Sequence, residues 1–533
     1  MLLLPYWLLP RRWRWATLIP IWLPAIWFTC CIWYYRFWND FPDITAIFLF
    51  DNMNSELFNS VVGLWQLHDL WIILFPVVAT IYFSAYRKSI ESYKLNTIPR
   101  LVAIVATLAC FACNQIGYTI IMKRDLKSEQ IDFSMYQSTF MRLANTNADQ
   151  TNSIRMNGFV AHYIASTAYA YELLTINREL NDEEVAQVES FIAGTKFPIS
   201  LSDSLKNVNS RKNVVLIIVE SLNSSVINAV SNGRPVAPTL KSLASSDSAV
   251  VALNVETQVR SGGSGDGQLM ANTGIHPLPR FSTSILVGSK NTFPSLPRML
   301  RRKSNLVIFA DPNLSWNENG TFNNFGFDRV LCNLDYTDEL HRLGSDAAMF
   351  QVADSLISTL SEPFFLELLT TSMHIPFDDP EVPQHLIPTW ITRPDGSVGL
   401  NEKYYRMVNY FDSALNGFIA NLKARNLYDN TIIYIVSDHS QDILTNENDT
   451  IESMTFMAIN AGVGQRINRR VGQIDVYPTI LQLAGTSDSV IWKGAGGSML
   501  GPELPEGRRE LAREISELIL RGDFFRGKFA EDK

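Results

Sequence analysis

The feature that most restricts this chain is the crowding of its apolar residues at one end. Three runs within the first 125 residues, Trp15–Tyr35, Leu70–Tyr86 and Leu101–Met122, approach the roughly 20 apolar residues with which a helix crosses a bilayer. The spans recur and no small-residue cleavage site follows the first, so a removable signal peptide fits poorly. Arg11, Arg12 and Arg14 precede the first run, and Arg87, Lys88, Lys94 and Arg100 separate the second from the third. The connection between the first two instead carries Asp40, Asp43, Asp51 and Glu56, with Arg36 its only cation. The positive-inside rule puts the basic flanks in the cytoplasm. With three crossings, everything after Met122 then lies outside: a multi-pass protein of the cell (inner, cytoplasmic) membrane with an extracytoplasmic soluble part. The bland alternative is that one run is a buried or interfacial helix, which would invert that part.

The rest of the chain reads differently. The net charge of -8 is spread along the sequence rather than gathered, so nothing in it points to a nucleic-acid partner and none is expected. Cys30, Cys31, Cys110 and Cys113 sit in the apolar runs, leaving Cys332 alone beyond them and excluding an intramolecular disulfide framework there. From Lys123 to about Arg211 the sequence is polar, with helical periodicity in Gly158–Leu174 and Asp182–Ile192. At Lys212 the composition changes. Asn213–Val219 is a continuous apolar, largely β-branched run of the kind expected for a central strand buried on both faces. Similar runs recur at Asn305–Phe309, Phe364–Leu369 and Thr431–Val436, with helical stretches such as Tyr404–Arg425 between them. Strands alternating with helices imply an α/β fold, α/β/α in layers, with a mostly parallel central sheet. The expected organisation is a transmembrane anchor over 1–125, a helical linker over 126–211, an α/β domain over 212–500, and a C-terminal helix and tail over 501–533, the helix at Arg508–Arg521.

In open parallel sheets ligands bind at the carboxyl ends of the strands. The first strand runs directly into Glu220, and the fourth into Ser437-Asp438-His439. Two carboxylates and an imidazole at one sheet edge can bind a divalent cation: manganese, magnesium or zinc all suit such a set. Taken singly, each is more often a helix cap or a solvated residue. Between them lies Arg260-Ser-Gly-Gly-Ser-Gly-Asp-Gly-Gln268, followed by apolar residues that suggest a helix start. Ser264 there would face oriented amides and the positive end of the helix, and a nearby cation would make its hydroxyl a usable nucleophile. The alternative is a flexible glycine-serine loop.

These pieces, in this order, resemble the lipoteichoic acid synthase branch of the alkaline phosphatase and sulfatase superfamily, along nearly the whole chain. In that branch a Val-Glu-Ser element supplies a metal-binding Glu, which matches Glu220. A Gly-Lys-Thr-Ser-Asp-Ser-Glu type segment carries the nucleophile, and Gly263–Gln268 aligns with it so that Ser264 takes that role, with Ser261 a rival. Its Ser-Asp-His element matches Ser437, Asp438 and His439, the last two as metal ligands. An Asn-His-Pro-Phe-like element with a substrate-contacting His looks like Met373–Phe377, pointing to His374, and Ile474–Ile480 is similar to an Asp-x-x-Pro-Thr segment. Members that handle phosphoglycerol show an Asp, a Trp five residues on and an Arg two further; here Asp311 and Trp316 match, but Glu318 replaces the Arg. The Cys/Ser-x-Pro-x-Arg signature of formylglycine sulfatases is absent around Ser264.

The resemblance implies a transferase. One divalent ion, manganese first, would be held by Glu220, Asp438 and His439 and would also contact Ser264. A membrane phospholipid would donate a phosphoglycerol or phosphoethanolamine head group to Ser264 for passage to a glycan or lipid acceptor, with His374, Trp316 and Asp311 binding substrate. A sulfatase-like ester hydrolase using the same residues is the alternative, and a non-catalytic head-group-binding homologue a further one.

Overall fold

A computed structural model of the chain describes residues 9–38, 66–92, 179–199, 201–260, 262–279, 282–309, 317–332, 345–374, 377, 382–441 and 453–529, with single positions at 101–102, 104–106, 109 and 163. The third apolar run and the periodic stretch 158–174 lie almost wholly outside these residues. The chain divides into two compact units, Met1–Leu174 and Thr175–Lys533.

In the first unit α1 (Ile19–Trp38) and α2 (Leu70–Ala85) form an antiparallel pair. Two segments, Trp13–Trp33 and Leu67–Ala85, are long and apolar enough to cross a membrane. Polar bonds mark both ends and the middle of the pair. Arg36 clamps the buried Asp69 with both guanidinium nitrogens, at 2.6 and 2.8 Å, and Trp33 Nε1 donates to the same carboxylate at 3.0 Å. Trp22 Nε1 donates to Thr80 Oγ1 at 2.9 Å in the middle, and Arg14 donates to the Ile90 carbonyl at 2.7 Å at the far end. Arg14 and the Arg87–Lys88 pair therefore share one end of the hairpin, and the Arg36–Asp69 pair holds the other. Bidentate pairing satisfies charges that a membrane interior would otherwise expel.

In the second unit α3 (Asp182–Gly194) opens with Asn181 and Glu184 in a reciprocal capping box. The sheet that follows has strands β1 (Asn213–Val219), β4 (Val250–Glu256), β5 (Ser304–Phe309), β6 (Arg329–Cys332), β7 (Phe364–Leu369), β8 (Thr431–Ser437), β9 (Met454–Ile459), β10 (Gln465–Ile467) and β11 (Val471–Gly472). A hairpin of β2 (Val230–Ser231) and β3 (Arg234–Pro235) stands apart from it. The order is β10-β4-β9-β8-β1-β7-β5-β6, with β11 also paired to β4. Among the described strands of this sheet only β9 runs against its neighbours, so β1, β4, β5, β7 and β8 all end at the same edge.

Every residue of β1, β7 and β8 is buried, as continuous apolar runs covered on both faces require. On one face the long helix α7 (Leu400–Ala424) lays Tyr404, Met407, Val408, Phe411, Leu415 and Phe418, at helical spacing, against Val215, Ile217, Leu366 and Ile433. Beside it on that face lies α6 (Asp346–Ile357). On the other face lie α4 (Gly263–Thr273) and α8 (Val476–Leu483), where Asn272 reaches Glu367 of β7 and Tyr434 of β8 reaches the Ile480 carbonyl. Between α4 and α6 in the chain comes α5 (Glu318–Phe325). The C-terminal helix α9 (Glu506–Gly522) docks onto this unit: Asn291 donates to the Leu520 carbonyl at 2.6 Å, and the Arg508 guanidinium lies 3.6 Å from the centre of the Phe191 ring.

Candidate functional site

Register builds the centre of the site. β1 and β8 are adjacent and parallel with Val219 opposite Ser437, so the next residues, Glu220 and Asp438, emerge side by side. Both are buried, at 6 % and 3 % exposure. Ser221 ties them together: its amide donates to Asp438 Oδ1 at 2.8 Å and its hydroxyl to Glu220 Oε1 at 2.6 Å. On the other side of β1, the Thr370 hydroxyl at the end of β7 accepts the Glu220 amide at 3.0 Å. His439 follows, with Nδ1 3.0 Å from the Ser440 carbonyl. A carbonyl can only accept, so Nδ1 carries a proton, and Nε2 faces the carboxylates, 3.6 Å from each.

The nucleophile candidate arrives from β4. Helix α4 begins at Gly263, one residue before Ser264, so the glycine-rich segment is a helix start and not a loose loop. Asp266 folds back to accept from the Arg260 and Gly262 amides at 2.9 and 3.0 Å, and burial pushes its carboxyl up to about 7. Gly267 is there for packing: a Cβ at that position would overlap the Asp438 carbonyl oxygen. This close approach seats α4 against the end of β8. The half-buried Ser264 hydroxyl lies 3.2 Å from Glu220 Oε2 and 3.2 Å from His439 Nε2, its single proton shared between them. Gly267→Ala must therefore push α4 and Asp438 apart. A displacement approaching 1 Å at a reacting centre costs about 100-fold in turnover, so we expect that loss with folding retained, checked by activity beside a thermal melt.

One donor atom from each of Glu220, Asp438 and His439 lies within 4.8 Å of the others, a spacing that fits one ion. The electrostatics also fit. Two buried carboxylates side by side resist ionising together. Burial and the neighbouring Glu220 charge push Asp438 well above the ordinary carboxylate range. Burial pushes Glu220 the same way, but the His439 and His374 imidazoles and the Ser221 hydroxyl outweigh it and leave Glu220 below its usual value. A divalent cation among these donors would relieve both the desolvation and the repulsion.

Of the residues singled out from sequence, Glu220, Ser264, Asp438 and His439 come together. His374, exposed in the turn after β7, is near enough for its charge to act on Glu220. Asp311, Trp316, Ser261 and His341 lie outside the described residues, and His385 is exposed. Glu318 does not point outward as a head-group arginine would. It is buried and accepts from Gln268 Nε2 at 2.8 Å, one turn along α4 from Ser264. Asn272, a further turn along, donates to Glu367 at 2.8 Å, and burial pushes that carboxyl up to about 8. Asp475 of the Asp-x-x-Pro-Thr-like segment precedes α8, its carboxylate accepting from the Gly472 and Gly497 amides at 3.0 and 2.8 Å rather than from that helix. Sequence reasoning missed Ser221, Thr370 and the Gln268–Glu318 bond. Only Ser221 had a signal, through the Val-Glu-Ser element.

Known proteins resemble this chain along most of its length. The family model described as Sulfatase matches residues 212–486, about half of the chain, and the one described as Lipoteichoic acid synthase N-terminal domain matches residues 1–137. Lipoteichoic acid synthase 1 of Bacillus subtilis is 26% identical over 481 residues, 85% of this chain and 70% of that protein. Lipoteichoic acid synthase of Staphylococcus aureus is 29% identical over 305 residues, 52% of this chain and 46% of that one. The fold is shared with the crystal structure of the lipoteichoic acid synthase LtaP from Listeria monocytogenes, at TM-score 0.50 and 17% identity over 63% of this chain and 98% of that one. It is shared also with the integral membrane lipooligosaccharide phosphoethanolamine transferase A of Neisseria meningitidis, at TM-score 0.53 and 14% identity over 88% and 86%.

Proposed function

The chain belongs to the sulfatase family, and from that premise we propose that this enzyme is a membrane-anchored, metal-dependent head-group transferase. It takes phosphoglycerol or phosphoethanolamine from a membrane phospholipid, holds it as a phosphoserine on Ser264, and delivers it to an extracytoplasmic glycan or lipid. The observation that carries this reading is the Ser264 hydroxyl lying 3.2 Å from both Glu220 and His439, within a cluster suited to one divalent ion. The lipoteichoic acid synthase names of the relatives, and the two apolar helices that would keep the site near a lipid donor, support it.

When bound, the cation, manganese first, with magnesium or zinc as alternatives, neutralises charge on the transferring phosphoryl group and lowers the pKa of the serine hydroxyl. Glu220, Asp438 and His439 would hold it. The Ser264 hydroxyl gives up its proton to solvent before attack, and Oγ, the same ionised oxygen it becomes again on departure, forms a bond to phosphorus as the bond to the diacylglycerol oxygen breaks. That leaving oxygen takes a proton from His374, which stands exposed at the same sheet edge. The positive end of α4 faces the anionic group on Ser264. An acceptor hydroxyl then returns its proton to His374 as it displaces Ser264 from phosphorus. In this reading residues 1–125 are the anchor, 126–211 the linker, 212–500 the catalytic domain and 501–533 its C-terminal helix and tail.

The test is the intact mass of the purified full-length protein after incubation with manganese and mixed phospholipids. A head-group-sized gain mapped to the Ser264 peptide supports the transferase. Ester cleavage that proceeds without any acceptor points to the hydrolase, and neither gain nor cleavage with any divalent metal overturns the enzymatic reading.

A further inference from the structure

The turn that carries Glu220 is held from outside the cluster. Ser221 has φ 52, a left-handed conformation that a side chain disfavours. That conformation aims its amide at Asp438 and its hydroxyl at Glu220 together. The residues after it are stapled to the end of β8 and the segment beyond it: the Leu222 amide donates to Ser437 Oγ at 2.9 Å, and the Asn223 side chain exchanges bonds with the Gln441 backbone at 2.7 and 3.0 Å. The two backbone groups left by this bend, the Ser221 carbonyl and the Asn223 amide, meet a single side chain. Tyr404, fully buried on α7, donates its hydroxyl to the carbonyl at 2.8 Å and accepts the amide at 3.0 Å. Its ring packs edge-on against Phe377, with centroids 5.2 Å apart. Phe377 belongs to the turn that carries His374 and bonds to the His374 carbonyl at 2.9 Å.

We propose that Tyr404 is a positioning residue for the cation site: its hydroxyl holds the left-handed turn at Ser221 and thereby sets Glu220 against Asp438 at a separation one cation can bridge. The role rests on the metal-dependent reading above. Partners behind metal ligands commonly set affinity by orienting those ligands. Here the orienting group comes from the helix that covers the sheet face, and it touches both the Glu220 turn and the His374 turn.

Tyr404→Phe removes only the oxygen and keeps the ring against Phe377. The full-length protein is titrated with Mn2+, with free ion read by electron paramagnetic resonance, and melted separately in EDTA. Wild type, Tyr404→Phe, Asp438→Asn and Tyr410→Phe are compared. Tyr410, further along the same helix, accepts from the Ala347 amide at 3.2 Å and serves as a hydroxyl-deletion control. The expected result is a loss of Mn2+ affinity of about tenfold or more in Tyr404→Phe, with a metal-free melting point no lower than that of Tyr410→Phe. Unchanged affinity, or a loss no greater than the control's, overturns the role while leaving the cation site standing. A Tyr404→Phe protein that fails to fold in EDTA assigns the hydroxyl to the fold and also overturns it. Wild-type protein that binds no Mn2+, or binds it equally with Asp438→Asn, overturns the cation reading and this role with it.

Discussion

Ser264→Ala is expected to lower head-group transfer by about 10⁴-fold or more, because a nucleophile that works as part of a unit takes most of the chemistry with it. The fold should survive. Ser264 is half-buried in the first turn of α4, and its hydroxyl bonds reach Glu220 and His439 rather than the backbone of the helix. Alanine is the better helix former at that position. The melting temperature should therefore move by no more than a few degrees, and the covalent mass gain should vanish. Transfer of a labelled head group, measured beside circular dichroism, separates the two effects. Activity that survives the substitution sinks Ser264 as nucleophile. Ser261→Ala made in parallel should leave transfer intact, and a reversal of the two results would hand the role to Ser261.

Much of the fold around the candidate site was legible because it rests on short-range rules. Four continuous apolar runs became central strands within a residue of their expected limits, since a strand buried on both faces leaves no polar period to misread. Glu220 and Asp438 could be paired in advance only as residues that each end such a strand, and register then made them neighbours. The parts that were not legible depend on distant pairing. β9 is an antiparallel strand inserted between β8 and β4, and its run Met454–Ile459 carries nothing that distinguishes it from a parallel strand. The glycines of Gly262–Gly267 read as a helix start or a flexible loop, with no sign that Gly267 clears the Asp438 backbone. Glu318 read as a change of charge in a head-group pocket, but Gln268 draws it inward. Tyr404 sits in an ordinary apolar stripe, and nothing in helical spacing tells a core tyrosine from one whose hydroxyl holds a turn some 180 residues away in sequence.

Chelation and Asp438→Asn should each abolish transfer and the manganese-dependent rise in melting temperature at neutral pH, and the pH dependence of that rise decides whether the cluster is a cation site. In the absence of metal, Asp438 is pushed up to about 7 by burial and by the Glu220 charge. A raised carboxyl holds stability that is complete below its unfolded value near 3.9 and is lost as pH rises through its folded value. The metal-free protein should thus lose stability through this group as pH rises from about 4 to about 7. A bound cation reverses that sign, because it requires the ionised form. Below about pH 7 the ion must displace a proton, so its affinity should fall by up to about tenfold per pH unit. Manganese at about 100 times its dissociation constant stabilises by about 2.7 kcal/mol, a shift of a few degrees in melting temperature. The melting curves with manganese and with EDTA should therefore stand apart at pH 7.5 and converge near pH 5. The amide that Asp438→Asn introduces cannot ionise, yet its oxygen can still accept the Ser221 amide bond that Asp438 Oδ1 takes at 2.8 Å. Asp438→Asn should accordingly close the gap at every pH, abolish transfer, and leave the metal-free protein more stable than wild type at pH 7.5. A manganese shift that is independent of pH, or one that persists in Asp438→Asn, would show that the ion binds elsewhere.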